Sequence, residues 1–512
     1  MEKIKVFLKS PLFPSLLVVF TAAFFRLYKI PSMMEFLGDQ GRDVLIVRDL
    51  LHGNLVFIGP QTSIGNMYLG PFYYYLLAPA LLFSFFSPLG PALLIAILGI
   101  FTTSFLFKIS KQFFKVPIAL LVSLLYAVSP VVVKYSNFSW NPNIMPLLAL
   151  LVFWSTWQIW QKKSWRHLPL LSFSLSAALQ SHYLALLLFP FSGLFVLVSL
   201  YNSRRQKNFT KKLYPQIGLA LLVFFLFLLP LILFDLRHQG QNIGAIKTFF
   251  TVRQTTVNLK AYKALPLIWP LFVQINTRLL AARAETPGLF LSFFLAFGSA
   301  AFFLKGLFLS PKKRLFTFLK KNPEFTIIIT WIATAIVGLG LYKQHIYDHY
   351  FGFLFPAPFL LLGLLLDRLF RLQLMKHLFL LSLIIFSAFI SSRSFLFPVN
   401  QLQETETVAT FIQEKAAGEP FNLALLAKTN YDDAYQYFLA KNQAPFYNHH
   451  DLLANQLFVI CEPHPDINCD PYNNPAWEIA AFGWAKPVGE WEILGRKIYQ
   501  LVSYNEKNNE KN

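Results

Sequence analysis

GPFYYYLLAPALLFSFF, residues 70–86, is the stretch on which the topology turns. It is apolar and uncharged, and a bilayer core requires ~20 such residues in a helix. If it crossed the membrane, every basic loop that follows would change sides. Its cluster Tyr73, Tyr74, Tyr75 and its Pro79 favour instead a segment that dips into or lies along the outer interface, where amphipathic rings collect. The charges on either side decide between the two readings.

Eleven other apolar runs are long enough to cross a bilayer. They lie at approximately 11–30, 91–107, 116–133, 144–160, 168–182, 184–201, 213–234, 287–309, 325–342, 351–367 and 378–397. The segments between them alternate in chemistry. Six of them, 1–10, 108–115, 161–167, 202–212, 305–321 and 368–376, hold 23 of the 45 Lys and Arg residues and almost no acid. Basic loops stay in the cytoplasm, so the N-terminus is inside and the end of the chain outside. A crossing at 70–86 would destroy this alternation. The first run, preceded by three Lys, reads either as a cleaved signal peptide or as a retained signal anchor, and the ten further spans favour the anchor. No internal repeat or heptad is visible.

Composition agrees. The 512 residues are 55% hydrophobic and 14% charged, with 56 Phe, against ~25% charged in soluble domains. A soluble or disordered protein is excluded. The net charge of +20 would in a soluble chain point to nucleic acid. Here the first 397 residues carry 37 basic and 10 acidic residues, and residues 398–512 carry 8 and 15. The excess is therefore mainly an orientation signal, and no nucleic acid is needed. The fold expected is a polytopic α-helical membrane protein of about 11 transmembrane helices, N-terminus inside, over 1–397, with outer loops 31–90 and 235–286. A small C-terminal α/β domain follows outside, over 398–512, with a disordered end.

That tail reads as helix at TETVATFIQEKA, strand at FNLALLA, helix at DDAYQYFLAK, and strands at LFVICE, WEIAAFGWA and WEILGRKIYQLV. Its Cys461 and Cys469 are the chain's two cysteines. An outside location permits a disulfide. A metal site would need His464 and Asp466 to join both thiolates in one tight loop, with no second ligand pair. The tail's role is left open between recognising an acceptor, covering a site and stabilising the protein.

The outer segments hold the candidate chemistry. After Gly38, Asp39–Leu51 has helical spacing, with Val44, Val47 and Leu51 on one face. Asp39 suits a helix N-terminus, and equally a site in which Gln40, Arg42 and Asp43 gather beside it at the membrane surface. In KYSNFSWNPN, 134–143, Asn141 and Pro142 make a reasonable helix start; functionally, Trp140 and Asn141 would supply an indole and an amide. QSHY, 180–183, presents His182 where two spans meet, and a lone interfacial His also suits a structural role. Segment 235–286 is basic although outside, with Arg237, His238, Lys247, Arg253, Lys260, Lys263, Arg278 and Arg283 against only Asp235 and Glu285. Orientation does not explain these cations; an anionic ligand such as a lipid phosphate does, with generic headgroup attraction the alternative. YKQHIYDHYFGFLFPAPF, 342–359, gathers Lys343, His345, Asp348, His349 and Tyr350, and Pro356 and Pro358 interrupt the span that follows.

With GDQGRD at 38–43, SWNPN at 139–143 and HYFGFLFP at 349–356, the chain resembles the integral-membrane GT-C glycosyltransferases. Within them it is similar to the bacterial group akin to protein O-mannosyltransferases and lipid A aminoarabinose transferases. The resemblance covers roughly 1–400 and rests on the order, sides and spacing of motifs that are individually unspecific. It implies a GT-C-like fold in the plasma membrane and transfer of a sugar from a polyprenyl-phosphate donor to a lipid, glycan or protein acceptor on the outer face. It also implies Asp39 as general base. The family's first-loop motif is usually Asp-Glu or Asp-Asp; here Gln40 replaces the second acid, leaving Asp43 as the other carboxylate. Some relatives carry an acid in the second outer loop, where this chain has Asn141.

Inverting transfer needs a base for the acceptor proton and cations for the departing phosphate. Arg253, Lys260, Lys263, Lys343, His345 and His349 are the expected phosphate-binding set. Gln40, Arg42, Tyr73, Tyr74, Trp140, Asn141 and His182 are the expected sugar or acceptor contacts. No cofactor follows firmly from the residues, no metal ligand is assigned, and a divalent cation is compatible with the reading. The competing function is a transporter or flippase of lipid-linked sugars. It would place ionisable residues near the bilayer midplane, whereas these gather at the outer boundary. A noncatalytic surface sensor is a third reading and would need no acid at 39.

Overall fold

The computed structural model describes residues 10, 12–62, 67–204, 209–251, 257, 260–308, 314–369, 372–462, 464–472 and 474–504. The chain forms two compact units. The first comprises residues 1–30, 55–77 and 91–397; the second joins 31–54 and 78–90 to 398–512. Two pieces of the long first loop thus fold with the tail.

In the first unit every apolar run lies on a helix. Among the described residues seven helices are long and apolar enough to cross a membrane, or eight if the bent pair Asp348–Leu354 and Pro356–Leu369 is one span. The other three runs make shorter helices, Phe13–Leu27, Val116–Val128 and Leu168–Ser181. Stretch 70–86 yields the helix Phe72–Phe83 of 12 residues. At 1.5 Å per residue it rises about 18 Å, less than the ~30 Å hydrocarbon core.

Where helices break inside this unit, side chains meet the freed backbone, as a membrane environment demands. Pro130 stops Val116–Val128 and restarts the chain as the short helix Pro130–Lys134. Two carbonyls at that break accept from elsewhere in the unit, and one hydroxyl there donates outward. Arg26, fully buried, donates to the carbonyl of Ala127 at 3.0 Å. Ser391 Oγ donates to Val128 at 2.7 Å, and Ser129 Oγ to Leu279 at 2.7 Å. At the Pro356–Pro358 interruption the two helical pieces meet at 54°.

The second unit is built on a four-stranded sheet of β1 Phe421–Leu426, β2 Gln456–Cys461, β3 Ala485–Ile493 and β4 Arg496–Ser503. The order is β1-β2-β4-β3; β1 and β2 are parallel and the other pairs antiparallel. Every residue of β2 is buried, as a central strand covered on both faces requires. β3 is the edge, exposing Lys486, Pro487 and Glu490, which discourages pairing with another chain. The core on one face gathers Leu457, Val459, Phe482 and Leu501.

Two tail expectations are corrected. WEIAAFGWA does not form a strand: Trp477–Phe482 is a helix that buries Ile479 and Phe482. A run of six with apolar residues at three-residue spacing fits either period, and packing on the sheet decided it. WEILGRKIYQLV is not one strand but two, folded at Leu494 and Gly495. Both adopt positive φ, 49° and 74°, the geometry a tight hairpin prefers. The other segments form as expected: helix Gln401–Lys415, β1, helix Asp433–Lys441 and β2. Residues 505–512, the expected disordered end, lie outside the described residues.

Cys461 and Cys469 are joined in a disulfide, with Cα atoms 5.6 Å apart. It closes a short loop against the end of β2. Loop-closure entropy puts such a link at roughly 2–3 kcal/mol. Cys461→Ser should therefore leave the membrane helices protected while amide exchange in β1 and β2 accelerates; equal protection in both forms would assign the link no part in the sheet's stability.

Candidate functional site

The Asp39 motif begins the helix Gly38–Leu51 in the second unit. Leu37, with φ −118° and ψ −171°, occupies the capping position, but leucine offers no acceptor to the free N–H groups of the first turn. Two amide side chains compensate. Gln40 reaches back so that its Oε1 accepts the N–H of Leu37 at 2.9 Å, the half of a capping box that Glu or Gln performs equally. Gln40 is only 5% exposed, and its oxygen serves its own backbone. The N–H of Gly38 is taken by Asn430 Oδ1 at 2.9 Å.

The two glycines of GDQG allow this approach. A Cβ on Gly38 would come within 2.4 Å of Tyr431 Cβ, and one on Gly41 within 2.2 Å of the Ala434 nitrogen. Helix Gly38–Leu51 thus lies against the start of Asp433–Lys441, and Phe36 packs edge-on to Phe438 at 5.6 Å.

Arg42 joins the motif's carboxylates. It bonds Asp39 Oδ1 at 2.7 Å and Asp43 Oδ1 at 2.7 Å. Asp43 is wholly buried, whereas Asp39 keeps 37% of its side chain exposed. Asp39 is thus the accessible acid of the pair. Sequence reasoning missed a third carboxyl, Asp433, which couples electrostatically to both Arg42 and Asp39. Burial, reinforced by the like charges of Asp432 and Asp39 and opposed by Arg42, raises the Asp433 carboxyl to about 6. The only sequence signal was the doublet Asp432–Asp433 opening a helix, which a favourable helix dipole explains as well.

A second cluster lies in the first unit. Trp140 caps the short 3₁₀ helix Asn141–Ile144, and its ring stands 4.5 Å from that of His349. His349 lies 6.0 Å from His182 and stacks with Tyr347 at 5.8 Å. His182, 7% exposed, accepts the N–H of Leu184 on Nδ1 at 3.2 Å, which leaves Nε2 to carry the proton of the neutral ring. Tyr350 lies 5.3 Å from His182. Asn141 donates to the carbonyl of Ser181 at 2.6 Å, and Tyr73 shares a 2.8 Å hydrogen bond with Ser139 Oγ. Tyr74 is buried. Trp140, His182 and His349 are therefore brought together, while Asn141 and Tyr73 brace the loops that carry them.

The phosphate set is redistributed. Arg253 lies outside the described residues. Lys260 and Lys263 are exposed at the turn before Leu265–Leu280. His345 is exposed and meets Tyr347 edge-on at 4.6 Å. The cations that converge are Arg278 and Arg283, on the buried Asp348 at 3.5 and 2.6 Å. Ala282 and Arg283 end their helix with φ of 49° and 70°, a left-handed pair costing about 1–3 kcal/mol per residue; this turn aims Arg283 at Asp348. Both arginines line a cavity of about 600 Å³ with Thr277 and Leu289. A second, about 420 Å³, holds Lys343, Leu267 and Leu271 and shares Pro270 and Gln274 with the first. Each cavity combines cations with leucines, Arg278 and Arg283 with Leu289 in the first and Lys343 with Leu267 and Leu271 in the second, so the lining is amphipathic. Among the described residues no group of three or more His, Cys, Asp or Glu could hold a metal ion.

Residues 69–232 match the family model described as dolichyl-phosphate-mannose-protein mannosyltransferase. No curated protein sequence matches. The crystal structure of ArnT from Cupriavidus metallidurans bound to undecaprenyl phosphate superposes with a TM-score of 0.59 at 13% identity, covering 96% of this chain and 98% of that one. The fold is of the GT-C type. The apo form of the same ArnT matches with a TM-score of 0.56 at 12% identity, over 95% and 97% of the two chains. The arabinofuranosyltransferase AftD from Mycobacteria matches at 0.50 and 11% identity, over 96% of this chain and 39% of its own. The chain shares its fold with these structures, the family model covers residues 69–232 alone, and the chain is a multi-span membrane protein.

The raised Asp433 carboxyl sets a pH dependence. Its folded value of about 6 lies above the usual 3.8, so its contribution favours the fold fully below about pH 4 and is lost as pH rises through 6. Asp433→Asn should remove that loss. Above pH 6 the variant's second unit should gain on the order of 1–2 kcal/mol relative to its behaviour at pH 4, after allowance for partial exposure. Hydrogen exchange of 401–441 at pH 4.5 and 7.5 reads this directly, and a gain independent of pH would contradict it.

Proposed function

We propose that this protein is a plasma-membrane glycosyltransferase that moves a sugar from a polyprenyl-phosphate donor to an acceptor on the outer face, with Asp39 as general base. The observation that carries the reading is the match over nearly the full length of both chains to ArnT, a structure whose bound molecule is undecaprenyl phosphate. The residues support it chemically. Asp39 is the exposed member of an Arg-bridged carboxylate pair. Arg42 holds one of its oxygens, which fixes the side chain and leaves the other to receive a proton within hydrogen-bond reach.

A polyprenyl phosphate departs already ionised, so cations that stabilise the developing charge matter more than a general acid. Arg278 and Arg283, beside Lys343, suit this task better than the exposed Lys260 and Lys263. A guanidinium can bind a phosphate with two parallel N–H donors, and the cavities' leucines match an isoprenoid chain. When the phosphate arrives, it competes with Asp348 for the two arginines. The rings of Trp140, His182 and His349 offer a stacking surface and an N–H donor for a sugar. In such a transfer the base takes the acceptor proton, the acceptor oxygen bonds the anomeric carbon, and cations take up charge as the C–O bond to the leaving phosphate breaks.

The test is turnover of polyprenyl-phosphate-linked pentoses and hexoses by purified protein, read as release of polyprenyl phosphate. Asp39→Asn should lower kcat by ~10²–10⁴-fold, the usual contribution of a general base, with membrane insertion intact. Full turnover by that variant would remove Asp39 from the chemistry. Arg278→Gln and Arg283→Gln should raise the donor KM roughly tenfold, as expected for a lost charge-assisted contact, and spare the acceptor KM. An unchanged donor dependence would displace the phosphate from this cavity.

A further inference from the structure

The second unit contains a polar chain that the reaction does not use. Asn430 stands in the loop between β1 and the helix Asp433–Lys441. Its Oδ1 accepts two backbone N–H groups, from Gly38 and from Tyr431, each at 2.9 Å. Its Nδ2 donates to Glu462 Oε1 at 2.9 Å. The same carboxylate accepts the hydroxyl of Tyr435 at 2.7 Å and lies 3.7 Å from Arg496 Nε. Arg496 in turn donates to Glu404 at 3.0 Å. Glu462 directly follows Cys461, the disulfide-bonded end of β2. The amide is thus oriented by both of its ends.

A helix start ordinarily caps itself, with Ser, Thr, Asp or Asn at the position before the first turn. Here that position is Leu37, in the extended conformation a cap needs but with no oxygen to offer. The nearest acceptor for Gly38 is 392 residues away in sequence. Gly38 immediately precedes Asp39, so whatever holds this N–H fixes the backbone from which the Asp39 carboxylate projects.

We infer that Asn430 is the N-cap of the Asp39 helix, supplied from the C-terminal segment, and that the Glu462–Arg496–Glu404 chain behind it makes it a positioning residue for Asp39. The last step rests on Asp39 being the base; the capping itself does not. This gives the C-terminal domain a role in the site that its fold alone would not assign. The domain contributes no atom to the reaction through Asn430. It sets the direction of one that does.

The decisive experiment moves the cap back to its usual place. In full-length protein in lipid nanodiscs, Asn430→Ala should accelerate amide exchange in the peptide covering 36–42 roughly tenfold, the equivalent of one lost cap. It should also change the rate at which a water-soluble carbodiimide labels Asp39. Adding Leu37→Ser, which puts a hydroxyl at the capping position, should restore both values without touching the tail. A tail that matters only for general stability would not respond to that second change. The inference fails if Asn430→Ala leaves both readouts unchanged, or if Leu37→Ser restores neither while β2 stays protected. Should Asn430→Ala unfold the sheet, Glu462→Gln keeps the cap and loosens its orientation; a smaller acceleration confined to the same peptide supports the inference, and none overturns it. Neither readout needs a donor, so a failure of the catalytic reading, seen as turnover by Asp39→Asn, remains distinguishable. With that reading intact, kcat of Asn430→Ala falls and recovers in parallel while the donor KM stays constant.

Discussion

Two backbones approach so closely at Gly38 and Gly41 that neither position has room for a Cβ. Much of the second unit can be understood from that contact. It brings the first turn of the Asp39 helix against residues 431–434, places Asp433 in the field of Arg42 and Asp39, and lets Asn430 reach a donor that Leu37 cannot serve. A methyl group at Gly41 would have to displace main chain, since its nearest neighbours are backbone atoms, and overpacking of that kind ordinarily costs a few kcal/mol. The motif GDQGRD therefore carries two messages. Its charged residues form the Arg42-bridged carboxylate pair, and its glycines decide what the helix packs against.

The first unit answers to a different constraint. Backbone groups in hydrocarbon have no water to turn to, and at the break before Pro130 the side chains of Arg26 and Ser391 take up the loose carbonyls of Ala127 and Val128. The irregular segments of chain rich in function, 139–144, 181–187 and 346–355, are each tied by an amide, a hydroxyl or an imidazole to a neighbour. Asp348 collects Arg278 and Arg283 in the same way. A carboxylate that satisfies two guanidinium groups at rest also keeps them in readiness for another anion.

The membrane architecture was legible because hydrophobic length and loop charge are both written locally. So were β1, β2 and the helices of the tail, whose periods are unambiguous. Trp477–Phe482 misled because six residues with bulky ends suit a strand as well as a turn and a half of helix, and only the sheet beneath decides. Asp39, Trp140 and His349 could be selected from their positions at the ends of spans. Arg283 could be named as one cation among eight but not preferred, because its selection depends on a left-handed turn and on Asp348, 65 residues on. Asn430 and Asp433 were out of reach for a simpler reason: their importance lies wholly in what they touch, and nothing near them in sequence distinguishes them from ordinary loop and helix-start residues.

The distance along the chain between Gly38 and Asn430 also orders events in time. During synthesis the Asp39 helix is made early, and the amide that accepts its Gly38 N–H follows 392 residues later. A chain cut short before residue 430 holds Asp39 and Arg42 but lacks the amide that accepts the Gly38 N–H.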